Sequence, residues 1–223
     1  MSPALSSEAR TPGGHAVVLV NGFPPTRGHL NHALKGASLF VCADGGADAA
    51  LALRRTPDAI VGDFDSVTPE ALRGLAGVPQ FRDPDPGRTD LEKSLDFILA
   101  RVAVPEIRVL GATRGRLDHV LGHISVMHRY LGRNTIILED DHGRAFLARD
   151  EVRLEARPGT LVSFFAVGQP VPGLATEGLE YALQDVTLQM GVQDSVSNVI
   201  KKNPAWIRFP GGVILVVLGR TAA

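Results

Sequence analysis

Carboxylates, glycines and arginines recur in short clusters up to Asp118. The clusters are Asp44-Gly45-Gly46, Gly62-Asp63-Phe64-Asp65-Ser66, Arg88-Thr89-Asp90 and the stretch from Gly111 to Asp118. Several carboxylates on one rim repel one another unless a cation or a cationic substrate joins them. A hard divalent ion with oxygen ligands answers that need, and Mg²⁺ bridging carboxylates and substrate phosphates is its common use. Gly45 and Gly46 let backbone N–H groups approach a phosphate, and Arg88, Arg114 and Arg116 can neutralise phosphoryl oxygens by forked hydrogen bonds. Together these parts point to phosphoryl-type transfer. Neither a G-x-x-x-x-G-K-[ST] loop nor a G-x-G-x-x-G fingerprint occurs.

The elements that must position these clusters are legible from periodicity. Apolar runs at Ala16–Val20, Ser38–Ala43, Ala59–Val61, Ile107–Leu110 and Thr135–Leu138 read as strands. Leu91, Leu95, Ile98, Leu99 and Val102 form one helical stripe, and Leu117, Leu121, Ile124, His128 and Leu131 another. Strands alternating with helices imply an α/β domain with a mostly parallel sheet and helices on both faces. Ligands of such sheets bind at the carboxyl ends of the strands, where Asn21-Gly22 and the clusters above fall. After Asp140-Asp141-His142-Gly143 the period becomes two, with Val152, Leu154 and Ala156 alternating against Arg153 and Glu155. Turn signals follow at Pro158-Gly159, Pro172-Gly173 and Pro210-Gly211-Gly212. The expected organisation is a flexible tail over 1–14, an α/β domain over 15–142 and an all-β sandwich domain over 143–223.

Each cluster also has a purely structural reading. Thr89-Asp90-Leu91-Glu92 is a capping box, and Ser66 and Thr68 before Pro69 look like a helix start. Asp63 and Asp65 could form turns, and Asp118 could sit in a helix first turn. That reading must be invoked separately at every rim position. His119 and His123 have the spacing of paired metal ligands, but no adjacent Glu or soft ligand supports zinc, and a polar or packing role is favoured. Cys42 lies in an apolar strand and reads as a buried, inert thiol. Trp206 fits either core packing or a ligand platform, and Lys201-Lys202 fits a solvated turn.

Composition narrows the class. The chain has 223 residues, 44% of them hydrophobic, enough for one large domain or two small ones. With 23 Lys+Arg against 24 Asp+Glu, it lacks the basic excess of a nucleic-acid scaffold. Of 15 Asp residues, ten lie between Asp44 and Asp118, a local surplus hidden by the formal charge of −1. The single cysteine excludes an internal disulfide and any multi-cysteine zinc site. The longest apolar run, Val213 to Leu218, is too short to cross a bilayer, and residues 1–14 lack the apolar stretch of a signal peptide. No membrane partner and a cytoplasmic location are expected.

The motifs resemble those of the thiamine pyrophosphokinase family. The likeness rests on Ala43-Asp44-Gly45-Gly46-Ala47, Gly62-Asp63-Phe64-Asp65-Ser66, Thr89-Asp90 and Gly115-Arg116-Leu117-Asp118-His119, in the family's order and spacing. It continues in Gly178-Leu179-Glu180-Tyr181-Ala182-Leu183 and Ser197-Asn198. The resemblance implies a homodimer whose active sites lie between the α/β domain of one subunit and the sandwich of the other. It implies transfer of diphosphate from ATP to the hydroxyl of thiamine, with release of AMP. Asp44, Asp63, Asp65 and Asp90 would handle Mg²⁺, its waters and the phosphates, with Asp65 or Asp90 as the proton acceptor. Asn21, Gly45, Gly46, Arg88, Thr89, Arg114, Arg116, Asp118 and His119 would serve the nucleotide, and Ser197 and Asn198 the thiamine pocket. Three positions depart from the family pattern: Gly87 replaces an acidic residue, Arg114 precedes Gly115, and His123 stands where Asn is usual. A diphosphokinase for another hydroxymethyl acceptor, such as a reduced pterin, and a non-catalytic binding relative are the alternatives.

Overall fold

The computed structural model describes residues 14–220, so the expected tail falls, apart from Gly14, outside the described residues. The chain divides into two compact units, one ending at Asp141 and the other beginning at His142. The first unit contains strands β1 (His15–Leu19), β2 (Ala37–Ala43), β3 (Ala59–Gly62), β4 (Gln80–Arg82), β5 (Glu106–Leu110) and β6 (Thr135–Glu139). Its helices are α1 (Arg27–Ala33), α2 (Gly46–Ala52), α3 (Pro69–Gly74), α4 (Asp90–Leu99) and α5 (Leu117–Tyr130). The strands are ordered β6-β5-β1-β2-β3-β4, and every pairing among them is parallel. The order reverses at β1, which has β2 on one side and β5 on the other. This reversal opens a crevice at the carboxyl ends, where such sheets take their ligands.

Val17, Leu19, Phe40, Cys42 and Ile60 pack in one core with Leu30 and Ala33 of α1, Ala47 and Ala50 of α2, and Ala71 of α3. Helix α4 joins none of that cluster yet packs on β1, β2 and β3, which covers the sheet on both faces as expected. Its start is a complete capping box. The Glu92 amide donates to Thr89 Oγ1 at 3.3 Å, and the Thr89 amide donates to Glu92 Oε2 at 2.9 Å. Thr68 caps α3, with Pro69 at its first position.

The α5 stripe needs correction. The helix exists, but Leu117 is 72% and Leu121 60% exposed, whereas Val126, Met127 and Tyr130 are buried. The helix is covered along a face that the Leu117–Leu121 spacing does not mark. Cys42 is fully buried and its thiol is pushed up by that burial, which leaves it inert as expected.

The second unit is all β among its described residues, with strands β7 (Gly143–Ala148), β8 (Val152–Leu154), β9 (Leu161–Ala166), β10 (Val171–Glu177), β11 (Val186–Leu188), β12 (Ser195–Val199), β13 (Ala205–Arg208) and β14 (Ile214–Gly219). They form an antiparallel row β12-β9-β14-β7 and a second sheet β11-β10-β13-β8. Inward residues of both, including Phe164, Val216, Leu174 and Ile207, share one apolar core. Trp206 is half-buried, with the guanidiniums of Arg153 and Arg208 5.8 and 4.9 Å from its ring centre. Lys201 and Lys202 are exposed beside that strand.

Candidate active site

Asp44 directly follows β2 in a left-handed conformation, φ 42°. It is 1% exposed. Its Oδ1 accepts the Val67 amide at 2.8 Å and its Oδ2 the Ser66 amide at 3.4 Å. Burial, outweighing those hydrogen bonds, raises its pKa to about 6. The β3 carboxyl end delivers Asp63 and Asp65 next to it. One carboxylate oxygen from each of Asp44, Asp63 and Asp65 lies within 4.8 Å of the others. Three oxygens that would otherwise repel form a donor set suited to a hard divalent cation.

Gly62 makes this approach possible. A Cβ there would meet Asp44 Cβ at 2.8 Å and Asp90 Oδ1 at 3.2 Å. Asp90 opens α4, and its Oδ1 accepts a hydrogen bond from Lys93 Nζ at 3.1 Å. Burial raises the Asp90 pKa against the pull of that ammonium. Burial also acts on Asp63, but the Asp65 amide and the Lys93 ammonium hold its carboxyl below the ordinary range. Lys93 is a site residue that sequence reasoning missed. The sequence holds only a weak signal for it, as one of four lysines beside 19 arginines and three residues after Asp90, and its burial in α4 is visible only in the fold.

A cavity of about 310 Å³ opens beside these groups, lined by Asn21, Asp44, Ser66, Thr89, Asp90, Asp118, His119 and His123 among others. These residues follow β1, β2, β3, β4 and β5. Asp118 takes two hydrogen bonds from Arg116, at 3.1 and 2.6 Å. The pairing lowers its pKa to about 2, so it is an anion at neutral pH. His123 places Nδ1 3.0 Å from the Ala112 carbonyl, and burial pushes its pKa down. A neutral ring donating from Nδ1 keeps Nε2 as an acceptor, and the ring is one of those lining the cavity.

Other expected residues are placed elsewhere. The space beside Gly46 is filled by the Leu19 carbonyl, 2.0 Å from where a Cβ would stand, and that beside Gly45 by the Asn21 amide. Both glycines are buried, and packing beside the end of β1 is a reason for their missing side chains. Arg88 is paired with Asp83 and with Asp96 on α4 and is not among the lining residues. Arg114 lies over the Phe23 ring, 4.2 Å from its centre, and Arg116 is engaged with the cavity-lining Asp118, although neither arginine itself lines the cavity. In the second unit Asn198 is 2% exposed and three of the four hydrogen-bonding positions of its amide are filled by backbone. Oδ1 accepts from the amides of Tyr181 (3.1 Å) and Val199 (2.8 Å), and Nδ2 donates to the Tyr181 carbonyl (2.8 Å). Ser197 is exposed at φ 56°.

Residues 30–138 match the family model described as "Thiamin pyrophosphokinase, catalytic domain", and residues 150–214 match "Thiamin pyrophosphokinase, vitamin B1 binding domain". Thiamine pyrophosphokinase 3 of Oryza sativa subsp. japonica is 31% identical, covering 74% of this chain and 72% of that protein. The chain belongs to the thiamine pyrophosphokinase family. A second rice relative, thiamine pyrophosphokinase 1, is 29% identical over 96% of this chain and 93% of its own length. Among solved structures, the Bacillus subtilis thiamine pyrophosphokinase superposes with a TM-score of 0.81 at 22% identity, covering 93% of this chain and 100% of that one. The Candida albicans enzyme superposes at 0.83 and 17% identity, covering 99% and 96%. These likenesses establish the family's fold for both units. No described helix is long and apolar enough to cross a membrane.

Proposed function

We propose that this thiamine pyrophosphokinase-family chain moves the diphosphate of ATP to the hydroxyl of thiamine, releasing AMP, on the rim of its first unit. The observation that carries the reading is the Asp44–Asp63–Asp65 trio beside the cavity at the carboxyl strand ends. Phosphoryl transfer asks the protein for alignment and charge neutralisation more than for covalent help. Mg²⁺ fits the trio's three oxygens, and when bound it neutralises the diphosphate oxygens. Asn21, Asp118 and His119 offer hydrogen-bonding groups to the nucleotide. Asp90 lines the cavity and Asp65 does not, which favours Asp90 over Asp65 as the acceptor of the thiamine hydroxyl proton. The anionic rim also favours a cationic acceptor over a neutral pterin. The match of residues 150–214 to a vitamin B1 binding model supports the same acceptor.

The homodimer with shared sites and the cytoplasmic location belong to this reading. Light scattering at working concentration should return twice the chain mass, and a monomer would remove the shared-site arrangement. Purified protein given Mg²⁺ and ATP should release AMP with thiamine and not with a hydroxymethylpterin. AMP release with the pterin alone would overturn the acceptor, and thiamine binding without AMP release would leave a binding protein.

A further inference from the structure

We propose that Lys93 is a positioning residue for this reaction: its buried ammonium joins Asp90 to Asp63 and acts as the rim's internal counter-cation. The inference rests on the functional reading above. The Lys93 side chain is 1% exposed, with Nζ 3.1 Å from Asp90 Oδ1 and 3.5 Å from Asp63 Oδ2. Lysine is almost never fully buried unless paired, and here both partners are rim carboxylates. They come from different elements: Asp63 follows β3, and Asp90 opens α4. The same ammonium therefore fixes a metal-seat carboxylate and the proposed proton acceptor relative to each other. Asp63 is held from both ends, since its Oδ1 accepts the Asp65 amide at 3.1 Å. Lys93 meets Asp90 at Oδ1, so the Asp90 carboxylate is oriented from one of its two oxygens.

A salt bridge kept only for stability would be a poor use of this position, because a well-packed apolar residue serves a buried site at least as well. The placement makes sense through charge and geometry. Without Lys93 the rim gains one negative charge, so a free divalent cation should bind more tightly. Asp90 and Asp63 also lose their common tether, so the transfer step should slow. Tighter metal binding with slower turnover is the signature of this role. Lost packing alone would lower the melting temperature without tightening metal binding.

The test compares K93M and K93R with wild type. Mn²⁺ binding without nucleotide, read by calorimetry or electron paramagnetic resonance, should tighten at least fivefold in K93M. At saturating Mg²⁺, kcat should fall at least thirtyfold while the KM for thiamine stays within threefold. K93R keeps the charge but replaces a compact ammonium by a planar fork. Its Mn²⁺ affinity should stay within twofold of wild type, and its kcat should fall at least fivefold. Unchanged or weaker Mn²⁺ binding by K93M, or wild-type kcat in either variant, would overturn the proposal. If K93M does not fold, K93R decides by the same limits. Wild-type protein that binds no Mn²⁺ and releases no AMP would overturn the functional reading and this inference with it. Wild-type activity with an unmoved K93M and K93R would overturn the inference alone.

Discussion

Asp44 in the first unit and Asn198 in the second are both buried polar side chains beside strand ends, 1% and 2% exposed. Each involves a left-handed residue, Asp44 itself and Ser197 next to Asn198. Their hydrogen-bond accounts differ. Asn198 spends both ends of its amide on the backbone of Tyr181 and Val199. Asp44 accepts two amides, yet it also faces the carboxylates of Asp63 and Asp65. Burial and polarity therefore do not separate a charged cluster from a neutral side chain that braces the backbone. The unmet charge does, because Asn198 is neutral and the backbone fills three of the four hydrogen-bonding positions of its amide.

The sharpest way to break this comparison is to remove the charge and keep the shape. Asp44→Asn still accepts the Val67 amide, and near neutral pH relief of the buried charge offsets the lost Ser66 bond, so its unfolding free energy should fall by no more than about 1 kcal/mol. Its kcat should fall by about a hundredfold or more, the scale of losing a preorganised electrostatic group. A fall in stability with turnover of the folded fraction intact would make Asp44 a brace like Asn198. The converse variant, Asn198→Ala, orphans the Tyr181 and Val199 amides and should cost about 2–4 kcal/mol in urea unfolding. Turnover of the folded fraction should remain within threefold. A raised KM for thiamine at unchanged stability would return Asn198 to the thiamine pocket that the family resemblance implies.

The same contrast explains what was legible in the sequence. The parallel sheet and the strand-end clusters were readable because period and turn chemistry are local. So was the capping box at Thr89, although it coexists with a cavity role for Thr89 and Asp90. What the sequence could not show was which polar groups are already spent. Arg88 carries the chemistry of a phosphate clamp, but Asp83 and Asp96 occupy it. Gly45 and Gly46 look like a phosphate cradle, and the Asn21 amide and the Leu19 carbonyl give their missing side chains a packing reason as well. Leu117 and Leu121 have helical spacing, yet burial is a property of what faces them. Lys93 was passed over because an isolated lysine reads as surface until its helix is seen to be covered.

Gly62 offers a smaller perturbation of the rim alone. Its missing Cβ lets Asp44 and Asp90 close on each other, and an added methyl would stand 2.8 Å from Asp44 Cβ. Gly62→Ala should cost about 1–3 kcal/mol, the usual range for overpacking. Because the displaced groups are rim carboxylates, the concentration of Mg²⁺ needed for half-maximal turnover should rise as well. Asn198→Ala should leave that concentration unchanged. A Gly62→Ala enzyme with wild-type Mg²⁺ dependence would show that the spacing of the carboxylates is not critical.

The smallest effect is read in stability against pH. The Asp44 carboxyl titrates at about 6 in the folded chain against 3.8 as its ordinary value. Between those values the folded protein keeps a proton that the unfolded chain has released. Stability attributable to Asp44 therefore falls as pH rises through that window. Asp63 is held below its ordinary value, so its contribution has the opposite sign and is lost only at lower pH, as its folded carboxyl protonates. Urea midpoints measured from pH 4.5 to 7 should show this decline in wild type and in Asn198→Ala, and a flatter profile in Asp44→Asn. Mg²⁺ should flatten the wild-type profile too, because a bound cation favours the carboxylate over the acid. Parallel profiles for wild type and Asp44→Asn would mean that the charge on Asp44 is already met within the protein, and the distinction from Asn198 would fail.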